Sequence, residues 1–109
     1  MISTPNPGND DHQLVFLVRT QLNPGNAEAF TRELPAHLHF LSRLYSEGRL
    51  LFGGPLIDSN NHNTGNGIYV VRAETFSEAK ELAAQDPLHR QGIRTAEVHK
   101  WMLKTDYST

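Results

Sequence analysis

"RLLFGGPLIDSNNHNTGNGIYVVRA" runs from residue 49 to residue 73. Its ends are apolar and rich in Leu, Ile, Val, Phe and Tyr, and its middle is almost wholly Asn, Asp, Ser, Thr, His and Gly. Short apolar runs bounded by turn residues read as strands. The stretch is therefore a strand at 49–57, a polar connection at 58–66 and a strand at 67–73. The connection is expected to be wide and prone to fraying. Gly53 and Gly54 allow two readings: a bulge where chains pack closely, or a backbone opening that lets a small ligand approach. Pro55 cannot donate to a ladder and confines the far end of its strand to a sheet edge.

A helix is expected on each side of this pair of strands. Downstream, "TFSEAKELAAQ" (75–85) puts Phe76, Ala79, Leu82 and Ala83 on one helical face. Asp86 and Pro87 then supply an N-cap and a first helical residue for a single turn that Gly92 stops. "RTAEVHKWMLK" (94–104) is the last strand. Upstream, "HQLVFLVRT" (12–20) is the first strand, and Asn23-Pro24-Gly25 breaks the chain after it. Asn26 caps a helix that runs to Gly48. Proline is costly in a helix interior, so Pro35 predicts a kink, or a short helix followed by a longer one starting near Pro35. The order is βαββαβ, a split βαβ unit with an antiparallel sheet and both helices on one face. This is an α+β fold. The strands are apolar on nearly successive residues, which suggests burial of both sheet faces. The same face of a second copy is the simplest cover, so a homodimer through the sheet face is expected.

The 109 residues suffice for one domain with one modest core, placed at 12–104. Residues 1–11 read as a loosely attached arm and 105–109 as a loose tail. With no cysteine, disulfides, thiolate chemistry and cysteine-ligated metals are out of reach. The net charge is −2 and Lys and Arg form no runs, so no footprint for nucleic acid exists. No apolar run approaches the ~20 residues of a membrane span, and the first residues lack the basic and apolar regions of a secretory leader. A cytoplasmic protein is expected. No phosphate-binding glycine loop or metal-ligand spacing is present, so neither cofactor nor metal is expected.

One residue is out of place in this plan. At about 100° per residue, with Leu38 set at zero, Leu34, Leu41 and Tyr45 fall within about 60° of it. His37 then lies near −100°, inside the apolar arc, and His39 near +100°, among Arg32, Arg43 and Ser46. His39 is solvated; His37 looks inward, onto the sheet or into a pocket beside it. An inward imidazole needs a partner for each nitrogen. One reading is a core histidine satisfied by a carbonyl and a water. The other is a functional base. Asp86 has two readings as well: an N-cap alone, or a carboxylate that meets His37 in space and orients its ring.

Four pieces in order, "PAHLHFL" (35–41), "EGRLLFGGPL" (47–56), "GIYVVRAETFSEAKELAAQDP" (67–87) and a closing strand ending near Trp101, resemble the YciI-like (YCII-related) family of small proteins. The resemblance covers most of 12–104. It implies a ferredoxin-like βαββαβ unit that dimerises into an α+β barrel, with an architecture like that of muconolactone isomerases. It also implies that the histidine of Pro-Ala-His and the aspartate of Asp-Pro, here His37 and Asp86, form the catalytic pair. Family members commonly carry arginine just before Pro-Ala-His, where this chain has Leu34; either Arg32 substitutes from the preceding turn or a different substrate is bound. The expected substrate-binding set is thus Arg32, Gly53, Gly54 and Pro55. The implied chemistry is cofactor-independent proton transfer on a small ring-derived metabolite, of isomerase or dehydrochlorinase type. The rival expectation is a non-catalytic dimeric module that binds a small molecule or a protein.

Overall fold

In the computed structural model the described residues are 12–108; the expected arm at 1–11 lies outside them, as does Thr109. The elements are β1 (His12–Leu22), α1 (Ala27–Ser46), β2 (Leu50–Ile57), β3 (Asn63–Val71), α2 (Phe76–Ala84), the single turn α3 (Pro87–Arg90) and β4 (Arg94–Lys104). One four-stranded sheet has the order β2-β3-β1-β4, antiparallel throughout. Each βαβ unit therefore has a strand of the other inserted between its own two strands. This is the expected split arrangement.

The register fixes the two faces. Phe16, Val18 and Thr20 lie opposite Val71, Tyr69 and Gly67, and these residues point to the helices. Phe16, Val18, Tyr69 and Val71 join Phe40 and Leu44 of α1 and Ala79, Leu82 and Ala83 of α2 in the main core. A second cluster of Phe30, Leu88 and Ile93 ties the start of α1 to α3 and the entry of β4. Side chains alternate along a strand, so Val15, Leu17, Val70 and Phe52 face away from the helices, with Trp101 opposite Val15. The rings of Phe52 and Trp101 meet edge-on with centroids 6.5 Å apart. They come from the two opposite edge strands and close over Val15 and Val70, both fully buried.

Three expectations need correction. Helix α1 is one continuous element with Pro35 inside it, and no new helix starts at Pro35. Proline removes the bond to the carbonyl of Thr31 alone. Pro35 is exposed, so water can reach the freed carbonyl. The connection at 58–66 is not a wide loop, because β3 begins at Asn63 and the turn is only Asp58 to His62. Asp58 Oδ1 accepts from the N–H of Asn60 and His62, at 2.8 and 3.0 Å, and Asn61 takes a positive φ of 65°. Polar side chains that bond their own backbone make a tight turn. The wheel is also rotated. Phe30, His37, Phe40 and Leu44 are the buried residues of α1, whereas Leu38 and Tyr45 are 55% and 68% exposed. His37 sits at the centre of the buried face rather than at its margin.

Candidate active site

His37 and Asp86 are 49 residues apart, yet the fold places them in contact. α1 points His37 at the sheet and α3. Asp86 stands at the start of α3, where its Oδ1 accepts the Leu88 N–H at 3.0 Å. The His37 Nδ1–H lies 2.8 Å from Asp86 Oδ2 and 3.0 Å from Oδ1. Tyr69, at the middle of β3, donates its hydroxyl to Oδ2 at 3.1 Å. Asp86 is wholly buried and His37 is 5% exposed. The N-cap reading and the pairing reading of Asp86 thus hold together, because one carboxylate has enough lone pairs for both.

Burial pushes the Asp86 carboxyl up, but the hydrogen bond and positive field of His37 above all, with the Leu88 N–H, outweigh it and hold the group below its ordinary value. Asp86 is therefore an anion at neutral pH and can only accept. Burial, and then the charge and hydrogen bond of Asp86, push the Tyr69 phenol far above its ordinary range, so it stays a donor. With Nδ1 holding its hydrogen toward Asp86, the nitrogen left for chemistry is Nε2. No fully buried side-chain nitrogen or oxygen lacks a partner among the described residues, and Nε2 makes no hydrogen bond there. It must reach open space.

That space is a cavity of about 330 Å³ walled by His37, Leu34, Leu38 and Leu41 of α1, Gly53, Gly54 and Pro55 of β2, Thr20, Gly67, Ile68, Asn63 and Arg94. It is within the range of small-ligand sites. The two readings of the double glycine divide between its members. A Cβ on Gly53 would lie 2.5 Å from Tyr69 Cβ and 2.7 Å from the Ile68 carbonyl, so that residue is glycine for close packing of β2 on β3. A Cβ on Gly54 would meet nothing within 4 Å, so that backbone is open.

Arg32 is not at this site. It is exposed, it pairs with Glu33 at 3.8 Å, and the cavity wall does not include it. On the wheel it shares the solvated side with His39, which explains its direction. The cation in the wall is Arg94, the first residue of β4. Two other neighbours went unread. Tyr69 was only one apolar residue of β3. His89 gives no signal in the sequence, yet its Nδ1 lies 2.7 Å from the Ala83 carbonyl and its Nε2 lies 2.8 Å from Thr20 Oγ1. The Ala83 carbonyl can only accept, so Nδ1 carries the hydrogen and Thr20 donates to Nε2. Burial pushes the His89 imidazole down, and the Ala83 bond and Asp86 offset this only in part. His89 is a neutral buttress stacked on Tyr69, ring centroids 6.4 Å apart. Burial of its ring would have been hard to see in advance, since a four-residue turn has no periodicity.

Among the described residues no helix is long and apolar enough to cross a membrane. The sequence matches the YCII-related domain over residues 14–102. It is 38% identical over 78 residues to the uncharacterised protein YjpA of Bacillus subtilis (strain 168), covering 71% of this chain and 86% of that one. It is 29% identical over 83 residues to the derivative of benzaldehyde biosynthesis cluster protein C of Emericella nidulans, covering 71% and 85%. In structure it is similar to the 5-chloro-2-hydroxyhydroquinone dehydrochlorinase TftG of Burkholderia phenoliruptrix AC1100, solved with 2,5-dihydroxybenzoquinone. That likeness has a TM-score of 0.70 at 22% identity, over 80% of this chain and 92% of that one, and bears on the fold. With a domain match spanning most of its length and a relative this near in sequence, the chain belongs to the YCII-related family.

Proposed function

We propose that the protein is a small cofactor-independent enzyme in which His37 Nε2 exchanges a proton with a small ring-derived organic ligand. The observation that carries this reading is the buried His37–Asp86 hydrogen bond itself. A carboxylate held ionised in the interior fixes the hydrogen on Nδ1 and turns the basic nitrogen toward a ligand-sized cavity, which is how a general base is positioned. Nε2 takes the proton of a ligand hydroxyl or acidic C–H. The electron pair left behind enters the ring system. It then either picks up a proton at another carbon, which is isomerisation, or expels a leaving group such as chloride, which is elimination. The imidazolium formed is stabilised by Asp86 and returns its proton to the product or to water. The ring chemistry named for the structural neighbour supports the elimination variant.

The same reading places the protein in the cytoplasm as a homodimer joined through the open sheet face, where Phe52 and Trp101 are 50% and 37% exposed. Light scattering should give twice the 12.3 kDa chain mass; a clean monomer at micromolar concentration refutes the dimer. The proton-transfer reading is tested without knowing the natural substrate. The ring C–H positions of 2,5-dihydroxybenzoquinone exchange with deuterated water, and the wild type should speed this at least tenfold while His37→Gln does not. A wild type no faster than His37→Gln would leave a binding module instead.

A further inference from the structure

Arg94 is a charged residue buried to 5% exposure, and its surroundings account for only part of it. Its Nε donates to the Gly65 carbonyl at 2.7 Å. Its guanidinium carbon lies 4.8 Å from the centroid of the Phe30 ring. Those are its partners among the described residues: no carboxylate lies within ion-pairing distance, and neither Nη makes a hydrogen bond. Since no fully buried side-chain nitrogen lacks a partner there, both Nη groups open onto accessible space. The cavity that Arg94 walls together with His37 is that space.

A buried guanidinium with no anion in contact is unusual, because removing a charge from water is costly unless it is paired; the Asp86 carboxylate acts on Arg94 from beyond contact and only partly offsets the burial. It is also held in place. Gly65 has a φ of +86°, and a Cβ there would lie 2.6 Å from the Leu22 side chain. Only glycine can give this turn of β3, and the turn aims the carbonyl that fixes Arg94. The rest of the wall matches. No Asp or Glu lines the cavity. Thr20, also in the wall, spends its hydrogen on His89, so toward any ligand its oxygen can only accept. The wall thus offers one fixed cation, and beside it the acceptors His37 Nε2 and Thr20 Oγ1.

We infer that Arg94 is the anion-binding residue of this cavity, and that the ligand is an organic oxyanion that also carries an acidic O–H or C–H within reach of His37. The inference rests on the proton-transfer reading for its second half only. The guanidinium offers parallel donors to a carboxylate or to the paired oxygens of a ring enolate. Where His37 removes a proton from the same conjugated system, Arg94 also holds the negative charge that develops on the ligand oxygen, as a fixed donor does in other enzymes.

Calorimetric titration tests this with two anions, 2,5-dihydroxybenzoquinone and benzoate, each against its neutral counterpart, 2,5-dimethoxybenzoquinone and benzamide. The wild type should bind at least one anion tenfold or more tightly than its counterpart; which one identifies a ring enolate or a carboxylate as the recognised group. Arg94→Gln should remove the preference while leaving the neutral compound within about threefold, and Arg94→Lys should keep part of it. His37→Gln should retain the preference; a wild type that shows the preference but exchanges protons no faster than His37→Gln sinks the base and not the anion site. Should Arg94→Gln fail to fold, the wild type still decides: the preferred anion should shield Arg94 from phenylglyoxal modification, read by mass spectrometry, and its neutral counterpart should not. Equal affinity of wild type for anion and counterpart in both pairs, a preference that survives in Arg94→Gln, or modification unaffected by the anion overturns the proposal.

Discussion

Replacing Asp86 by Asn separates what the carboxylate does for the fold from what it does for His37. The amide is nearly isosteric, so the site can keep its shape. Asn Oδ1 can still accept the Leu88 N–H, which now bonds Asp86 Oδ1 at 3.0 Å. The amide nitrogen then faces Tyr69 and His37, whose donors pointed at Oδ2 at 3.1 and 2.8 Å. Nδ1 can meet that N–H only by giving up its own hydrogen; its other contact, Oδ1 at 3.0 Å, is already shared with the Leu88 N–H, so the expected outcome is a change of tautomer in which Nε2 becomes a donor. Two charge-assisted bonds of about 1.5–3 kcal/mol each become neutral ones of about 1 kcal/mol. Relief of the buried charge returns part of this, for a net loss of about 1–2 kcal/mol. In a domain of this size that lowers Tm by about 5–15 °C, and the protein stays folded. Proton exchange should fall by a factor on the order of 10²–10⁴, the usual worth of a positioned base. Long-range 15N–1H spectra at alkaline pH report the tautomer directly: Nε2 is the unprotonated nitrogen in the wild type and Nδ1 in the variant. A variant that keeps the wild-type tautomer, or exchanges protons at the wild-type rate, refutes the account.

Two more outcomes follow from the same geometry. Gly53→Ala should lose about 1–3 kcal/mol, as overpacked cores do, because the new atom meets the Tyr69 Cβ and the Ile68 carbonyl; Gly54→Ala should hold its denaturation midpoint, and equal effects of the two would show that the packing of β2 on β3 is misread. Stability should also fall on acidification. Asp86 and His89 both titrate below their ordinary values in the fold, so the unfolded chain takes up each proton first and the fold loses ground as pH drops. For His89 the loss begins near its ordinary value of 6.5, and Asp86 adds to it in the carboxylate range. Tm should decline from about pH 7.5 to about pH 5, less steeply in His89→Gln; a Tm that rises with acid in the wild type contradicts both assignments.

The strand and helix order could be read from the chain because each element has its own period and its own stops. β4 has the bounds that its sequence suggests, Arg94 to Lys104, and Thr75, Asp86 and Gly92 end or begin elements as their types require. His37 showed itself by standing in an apolar arc. Its meeting with Asp86 came from resemblance, since nothing local fixes a contact across 49 residues. Arg94 was illegible for the opposite reason. A charged residue at the start of a strand is ordinarily solvated, and its burial depends on Phe30, Gly65 and Leu22, three places far apart in the chain. Asn63 and Thr64 read as loop because they are polar. In the fold Thr64 Oγ1 donates to the Leu56 carbonyl at 2.7 Å and the Gly65 N–H to Asn63 Oδ1 at 2.8 Å, so polarity there serves the strand.

Trp101 is the chain's one tryptophan, and it leans on Phe52 across the side of the sheet that α1 and α2 leave bare. The wavelength of its emission therefore registers how wet that side is, while His37 and its surroundings lie behind the strands, beyond its immediate reach. If two copies join there as proposed, diluting them apart should move that emission to longer wavelength, so the association can be tested without a label.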